Sequence, residues 1–328
     1  MAVYVNTNYS ALQGQRYLGN VQNSLTTTYQ RLSSGMRINS AKDDAAGLQI
    51  ADRLTSQING LNQGNRNASD GIALAQTMEA GMDEISGMLQ KVRTLTVQAA
   101  NGTNTSADRA ALSKEVSSLL TEVNRIATQT TFAGKTVLNG QSADESSLFG
   151  KAAADGGKAG VGGPNGTMTL QVGSNKGDTI SFTAESVMFS KIGGSHGKFG
   201  QMVAEQAGKI FKTDKDTGAV TVTFTKANFA NAAADDYIGN VIELMDTAIS
   251  KIDGMRADLG AIQNRLESSI RNQSNVAANE ADARSRIRDA DFAEESANLS
   301  QQSIIQQAAA SMLMQANTRP QLGLSLLG

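Results

Sequence analysis

The sequence of 328 residues has no cysteine, no tryptophan, one histidine and two prolines. The absence of cysteine excludes disulfides, thiolate catalysis and zinc sites with cysteine ligands. The single histidine excludes any site that requires a pair of histidines. No run of about 18 apolar residues is present, so a membrane-spanning helix is not expected. The N-terminus carries neither a basic segment nor an apolar core, so we do not expect a cleaved signal peptide.

Acidic and basic residues nearly cancel, with 29 Lys and Arg against 31 Asp and Glu. A net charge of −2 argues against a nucleic-acid-binding protein, which is usually strongly basic. Aromatic residues, which bury the most area per residue in a globular core, make up only 4% of the chain. A chain held together mainly by aliphatic side chains at regular spacing is more typical of an elongated helical protein.

Two long stretches carry apolar residues at alternating spacings of three and four, which is the heptad pattern of coiled coils. They cover residues 75–99 and 241–266, and a shorter stretch covers 112–126. Prolines occur only at Pro164 and Pro320, so all of these stretches can be continuous helices. We expect them to pack as an antiparallel coiled bundle. The seam residues expected to be buried are Met82, Ile85, Leu89, Val92, Ile252, Leu259, Ile262 and Leu266.

The shorter stretch has its own seam, and the bundle has an alternative. On residues 112–126 the pattern selects Leu112, Val116, Leu119, Val123 and Ile126. Three unrelated amphipathic helices in a globular fold could carry the same patterns. Heptad spacing sustained over three or more repeats favours the bundle.

The middle of the chain differs in composition from the two arms. Seven of the nine phenylalanines lie within residues 149–229, and glycine is concentrated in residues 150–200. Alternating residues at 167–172 and 179–183, separated by a loop rich in glycine and asparagine, predict a β-hairpin. Residues 219–224 alternate in the same way. We interpret this region as a small insertion that no helical seam crosses, and we expect about residues 185–234 of it to be replaceable by a short linker without loss of assembly.

The two ends of the chain are nearly free of charge. Residues 1–41 contain three arginines and no acidic residue, and residues 296–328 contain one charged residue, Arg319. Both ends carry apolar residues at helical spacing, which makes them poor surfaces for a monomer. We therefore expect them to be disordered in the free subunit and buried against copies of the same chain. The residues expected at these assembly contacts are Leu18, Val21, Leu25, Leu32, Phe292, Leu299 and Leu313.

Candidate catalytic and ligand-binding motifs are incomplete. His196 lies in a glycine-rich segment, without a second histidine for metal binding. Residues 134–136 end like a P-loop, but Gln129 stands where that motif requires glycine. Residues 214–225 have Thr225 where a calcium loop requires its bidentate glutamate. We expect no catalytic residue, no cofactor and no metal site.

Each arm contains two distinctive strings of residues. In the N-terminal arm these are RLSSG at 31–35 and INSAKDDAAG at 38–47. In the C-terminal arm they are LGAIQNRLE at 259–267 and RIRDADFA at 286–293. These strings resemble the N-terminal and C-terminal signatures of bacterial flagellin. Strings of this length rarely coincide by chance, and no motif of the middle region could be placed in the same way.

The resemblance covers residues 1–140 and 235–328 and implies a fold and a division into domains. The implied fold is mainly α, an elongated antiparallel coiled bundle built from both arms, with a small β-containing central insertion. The implied domains are an inner filament core (1–45 and 286–328), a helical bundle domain around it (46–144 and 235–285) and a variable solvent-facing region (145–234).

For function, the resemblance implies a structural subunit that self-assembles into the extracellular bacterial flagellar filament for swimming. It implies export of the unfolded chain through the flagellar type III apparatus. The implied partners are other flagellin subunits, the flagellar cap, the hook–filament junction proteins and a flagellin export chaperone, with neither nucleic acid nor membrane among them. Two alternatives are a hook–filament junction protein of the same family and a filament subunit that displays an enzymatic central domain.

Residues 89–98 resemble the segment through which Toll-like receptor 5 of animal hosts recognises many flagellins. Matching by position implies a contact surface of Gln90, Lys91, Leu95 and Glu115. Lys91 and Leu95 are four residues apart and share a helix face, so we expect Leu95 to point outward as an apolar anchor. The alternative is that Leu95 packs against a neighbouring helix or against the next subunit. The family pattern usually has arginine in place of Lys91, and lysine lacks the planar guanidinium, so we expect weaker recognition here.

Overall fold

The computed structural model describes residues 7–140, 147–149, 165–189, 192, 210–213, 219–224 and 238–325. Within these ranges the chain has five long helices and three short antiparallel strand pairs. The chain divides into two compact units: unit 1 is residues 1–60 with 275–328, and unit 2 is residues 61–274. No helix in the described ranges is both long enough and apolar enough to cross a membrane.

The predicted fold class, a mainly α bundle with a small β-containing insertion, is confirmed. The strands pair in chain order, β1 with β2, β3 with β4 and β5 with β6. The helices are α1 (Tyr9–Ser34), α2 (Ala45–Ala99), α3 (Ser106–Gln129), α4 (Ile238–Arg288) and α5 (Phe292–Ser325). The strands are β1 (Thr131–Phe132), β2 (Lys135–Thr136), β3 (Asn165–Gln171), β4 (Thr179–Glu185), β5 (Phe211–Thr213) and β6 (Val220–Val222).

Local signals fix where the helices begin and end. At the start of α3, Thr105 and Asp108 form a capping box in which each side chain accepts from the other residue's backbone N–H. The hydrogen bonds from Thr105 hold the pKa of the Asp108 carboxyl below its usual value. α1 ends at Gly35, which adopts the left-handed conformation with φ of 70° and donates its N–H to the Arg31 carbonyl.

Unit 2 is built around the apolar stripe of α2, which packs with stripes on α3 and α4. All of the eight predicted seam residues lie in one hydrophobic cluster, each no more than 8% exposed. On α3 the predicted register is wrong at three positions, because Leu112, Leu119 and Ile126 are half-buried whereas the residues that follow them, Ser113, Leu120 and Ala127, are buried. The second face of α3 therefore also meets neighbours.

The β-hairpin predicted at 167–172 and 179–183 is confirmed as β3 and β4. Met168 lies opposite Phe182, and Leu170 lies opposite Ile180. Leu170, Ile180 and Phe182 are buried, while their sequence neighbours on β4 are exposed. The hairpin is therefore covered on one face, as alternation of apolar and polar residues requires.

The face of this hairpin and the other described segments of the middle region pack on the helices. Phe182, Phe189, Phe211 and Val222 belong to the same hydrophobic cluster as the α2 seam. No seam passes through the described segments of the middle region, but these segments are packed on the helices and are not separate from the bundle. Strands this short cannot cover their own apolar face, so the helices cover it.

Two glycines let the hairpin approach the backbone of α2. A Cβ on Gly64 would collide with the Val172 carbonyl oxygen, and one on Gly71 would collide with the Leu170 side chain. Between them, Asn67 Nδ2 donates to the Gln171 carbonyl at 2.9 Å. Positions 64, 67 and 71 share one face of the helix because they are spaced by three and four.

Gly64→Ala should lower the melting temperature by about 4 °C or more, because the added methyl group must displace the backbone at residue 172. Gly87→Ala is the matched control on the same helix, since nothing lies within 4 Å of a Cβ there. The control should raise the melting temperature by roughly 1–4 °C, because alanine favours helix over glycine. Far-UV circular dichroism during heating measures both, and equal shifts would contradict the close packing.

Candidate assembly surface

The two terminal helices of unit 1, α1 and α5, pack against each other in antiparallel orientation. On α1, Leu18, Val21, Leu25, Thr28 and Leu32 follow at spacings of 3, 4, 3 and 4, so they share one face. Val21 and Thr28 are buried, and the three leucines are half-buried. This face of α1 therefore turns toward α5.

Polar contacts recur along the whole seam between α1 and α5. They fix which residues of the two helices are opposite each other, because a slip of one turn would break all of them. In order along α1, the contacts are Asn8 Nδ2 to the Ala316 carbonyl (2.8 Å), Gln306 Nε2 to Gln22 Oε1 (3.4 Å), Thr28 Oγ1 to Gln302 Oε1 (3.2 Å) and Arg31 Nη1 to Glu295 Oε1 (3.1 Å).

The Arg31–Glu295 ion pair is the most buried charged contact of this seam. The Glu295 side chain is 8% exposed and that of Arg31 is 32% exposed. A carboxylate this deeply buried is costly unless a cation and further donors surround it. Asn298 Nδ2 lies 3.5 Å from the second carboxylate oxygen of Glu295. The pair therefore specifies the register of the two helices at the end where they are joined to the rest of unit 1.

The connection after α1 is tied to the junction between α4 and α5. Arg37 donates its backbone N–H to the Arg288 carbonyl at 2.6 Å and its guanidinium to the Ile287 carbonyl at 2.7 Å. In return, Ala290 donates its N–H to the Gly35 carbonyl at 3.0 Å. The two chain arms are thus held together by backbone hydrogen bonds at this point.

Asp43 organises the loop that follows. Its carboxylate accepts from the backbone N–H and hydroxyl of Ser40 and from the backbone N–H of Asn39. These hydrogen bonds, those from Ser40 above all, hold the pKa of Asp43 below its usual value. Asp44 then accepts from the Gly47 N–H in the first turn of α2. The conspicuous INSAKDDAAG string therefore encodes a hydrogen-bonded loop and a helix start.

Most of the predicted assembly residues lie in the seam and not on the outside. Val21 is buried, and Leu18, Leu25, Leu32, Leu299 and Leu313 are half-buried. Only Phe292 of the predicted set is largely exposed, at 58%. The expectation that the apolar residues of the ends have no partner within the chain is therefore wrong for these six. Their heptad spacing marks a partner helix, and that helix is in the same chain.

The outward apolar residues of α1 and α5 are a different set, which our sequence reasoning missed. They are large side chains between 52% and 74% exposed: Tyr9, Leu12, Tyr17, Tyr29, Phe292, Ile304, Met312 and Met314. Apart from Phe292 they fall outside the predicted stripes. The composition of the terminal segments could have predicted them. These segments have almost no charge, so apolar residues that lie outside the seam are expected to need another partner.

The residues implied as a receptor contact lie in unit 2. Lys91 Nζ and Glu115 Oε1 form an ion pair of 2.9 Å between α2 and α3, and Gln90 is exposed. Leu95 is 8% exposed and belongs to the hydrophobic cluster. The expectation of an outward Leu95 is therefore wrong, because its helix face is covered by the packed bundle. The alternative, packing against neighbouring helices, is what the structure shows.

Of the incomplete motifs, only the P-loop-like string lies wholly within the part of the chain that the structure describes. His196 and residues 214–218 lie outside the described residues. Gly134 sits in the turn between β1 and β2 with φ of 80°, so the P-loop-like string is a hairpin turn. Among the described residues, no three His, Asp or Glu side chains come together as metal ligands.

Known proteins match the chain over both arms. The family model of the bacterial flagellin N-terminal helical region matches residues 5–143, and that of the C-terminal helical region matches residues 242–327. The chain is 37% identical to polar flagellin F of Vibrio parahaemolyticus and 38% identical to flagellin D of Vibrio anguillarum, over the full length of all chains. A solved structure assigned as a flagellar hook-associated protein of Vibrio parahaemolyticus shares the fold, with 17% identity and a TM-score of 0.54 over 75% of this chain and 100% of its own.

The matches over both arms define the class as a structural subunit of a filament, and the paired terminal helices with exposed apolar side chains agree with that class. The chain belongs to the bacterial flagellin family, whose members build the extracellular flagellar filament used for motility. Flagellins are structural proteins, which agrees with the expectation of no enzymatic role.

Arg31→Ala should destabilise the α1–α5 pair by about 1–3 kcal/mol, because the buried Glu295 carboxylate would lose its cation. Arg16→Ala, which removes an exposed arginine of the same helix, is the control and should be nearly neutral. Amide hydrogen exchange along α1 and α5 measures the difference. Replacing both partners by apolar residues, as in Arg31→Met with Glu295→Leu, should restore protection. Equal exchange in Arg31→Ala and Arg16→Ala would contradict the role of the pair.

Proposed function

We propose that the outward faces of α1 and α5 are the surfaces through which copies of this chain join in the core of the flagellar filament. The observation that carries the proposal is the set of eight large apolar side chains exposed on two helices that already pack together. Large apolar side chains exposed in this number on a pair of helices almost without charge favour an interaction site. The division into an inner core (1–45 and 286–328), a surrounding bundle (46–144 and 235–285) and an outer region (145–234) belongs to the same proposal.

The seam between α1 and α5 supports coupling between assembly and order. In the described part of the seam, Val21 and Ala309 are the buried apolar residues, and Thr28 and Glu295 are buried polar ones. A seam with little apolar burial holds two helices weakly, since each ordered residue costs about 1–2 kcal/mol of backbone entropy. We propose that the pair is loosely held in the free subunit and becomes firmly ordered when neighbouring subunits cover its outward faces.

The same surface supports further partners. Apolar side chains that are exposed in the subunit before assembly would promote premature association. A flagellin export chaperone that covers them, and export of the chain in the unfolded state, would both prevent this. The filament ends in turn require the flagellar cap and the hook–filament junction proteins. Self-association through unlike surfaces produces an open helical polymer when the rotation does not close. Of the two alternatives, the junction protein is disfavoured because the full-length relatives reported above are flagellins.

Ile304→Lys should prevent filament growth, because it places a charge in the proposed subunit contact. Ile304→Leu is the matched control, since it keeps an apolar side chain of the same size at the same exposed position. Met312→Lys and Met312→Leu form a second pair of variants at another exposed position of α5, eight residues after Ile304. Light scattering after addition of filament seeds measures growth, and circular dichroism verifies folding. Normal filaments from either lysine variant would contradict the proposal.

Recognition by Toll-like receptor 5 remains a proposal that now depends on fewer residues. Gln90, Lys91 and Glu115 are accessible, but Leu95 is buried in the bundle. Loss of signalling in Leu95→Ala would therefore reflect damage to the core as readily as loss of a contact. The polar residues around the Lys91–Glu115 pair are the better test of the contact surface.

Lys91→Arg should strengthen receptor signalling several-fold, because arginine can keep the ion pair with Glu115 and add planar donors toward a partner. Lys114→Arg, a nearby exposed substitution on α3, is the control and should leave the response unchanged. A cell reporter assay with purified monomer measures the response. Equal responses to wild type, Lys91→Arg and Lys114→Arg would contradict the assignment of Lys91.

A further inference from the structure

One face of α3 carries polar side chains where a bundle helix would usually carry apolar ones. Ser113, Ser117, Thr121 and Asn124 follow at spacings of 4, 4 and 3, so they form one row. Ser113 and Asn124 are buried, and Ser117 and Thr121 are half-buried. Serine and threonine weaken helix interiors, and buried polar groups need partners, so a buried polar row requires a reason.

Each member of this row accepts a backbone N–H from the middle region. The donors are Val220 and Val222 of β6, Phe224 just after the end of β6, and Phe189 of a separate segment. The contacts are Phe224 N to Ser113 Oγ (3.0 Å), Val222 N to Ser117 Oγ (2.8 Å), Val220 N to Thr121 Oγ1 (3.2 Å) and Phe189 N to Asn124 Oδ1 (2.9 Å).

The spacing of the hydroxyl groups matches the spacing of the strand. Four helical residues advance about 6 Å along the helix, and two strand residues advance about 6.7 Å along the strand. Every fourth side chain of α3 can therefore meet every second N–H of β6. Ser117 and Thr121 donate their own hydroxyl protons to carbonyls one turn back, at 2.7 and 2.8 Å. Their lone pairs stay available to the strand.

The hydroxyl row completes the edge of a sheet. β6 pairs with β5 on one side, where Thr223 N donates to the Ile210 carbonyl at 3.0 Å. The opposite edge would leave unpaired N–H groups, which is costly when buried and invites pairing with other chains. Here the helix takes the place of a third strand. Val220, Val222 and Phe224 are buried at the same time, so a shift of one residue would bury Thr221 and Thr223 in their place.

We infer that Ser113, Ser117 and Thr121 form a binding site for an extended backbone. Together with Asn124, which binds the N–H of Phe189, this site anchors the middle region to the bundle. The ligand is an extended segment with apolar residues at alternate positions and no proline at the three positions that donate. In this chain the occupant is residues 220–224. Because the row contacts N–H groups and not side chains, the exposed positions Thr221 and Thr223 are free to vary.

The test is amide hydrogen exchange of the full-length monomer. Ser117→Ala should accelerate exchange at Val222 by about tenfold or more relative to the core amide of Leu120, because the N–H loses its acceptor. Ser117→Thr keeps a hydroxyl and should keep the protection. Ser118→Ala is the control, since Ser118 is exposed on α3 and its hydroxyl donates only within its own helix, to Lys114.

A second pair of variants covers the case in which Ser117→Ala does not fold. Thr121→Val has the shape of threonine without the hydroxyl and should expose the Val220 amide, whereas Thr121→Ser should not. Unchanged protection of Val222 or Val220 without the hydroxyl would overturn the inference. An equal loss in Ser118→Ala, or an equal loss at Leu120, would also overturn it. None of these readouts involves filament growth, so the result is independent of the proposed assembly surface.

Discussion

The apolar stripe of α2 between residues 61 and 99 meets stripes on α3 and α4, and its burial holds unit 2 together. Each fully buried Leu, Ile or Met contributes about 1.5–3 kcal/mol, which offsets the entropy of ordering the long helices. Because Met82, Ile85 and Leu89 are already buried in this contact, only the remaining faces of the helices can bind the strands of the middle region. One of them receives the hairpin, and another receives β6.

The sequence predicts this stripe well because a repeat of 3.5 residues leaves few other interpretations over several heptads. It predicts the β3–β4 hairpin for a similar reason, since alternation and a glycine-rich loop act locally. It fails where two stripes lie side by side. Leu95 and Leu120 lie next to seam positions, and a single-stripe interpretation leaves them outside even though a second neighbour covers them. Such coverage depends on tertiary packing, which periodicity does not report.

The same failure explains the misplaced assembly residues of unit 1. Leu18 and Leu25 lie at heptad positions, and heptad positions indicate a partner helix without indicating which chain supplies it. The structure supplies it from α5, and polar contacts such as Arg31–Glu295 specify the register. Apolar residues outside the heptad, such as Tyr17 and Ile304, are then the exposed ones, and they form the proposed assembly surface. In a chain that must self-assemble, the informative apolar residues are those that the intrachain seam does not use.

The contacts that attach the middle region to the helices could not be predicted from the sequence. Beside the apolar side chains that the region buries, two of its contacts with the helices use backbone atoms: the carbonyl of Val172 lies against Gly64, and the N–H groups of β6 donate to the hydroxyls of α3. Neither contact requires a particular side chain in the middle region, so neither leaves a motif there. The contacts instead require particular residues on the helices. These are glycines that allow the hairpin backbone to approach α2 closely, and hydroxyl side chains at every fourth position of α3. A bundle that holds its insertion by the backbone can keep its own sequence fixed while the insertion's exposed side chains change.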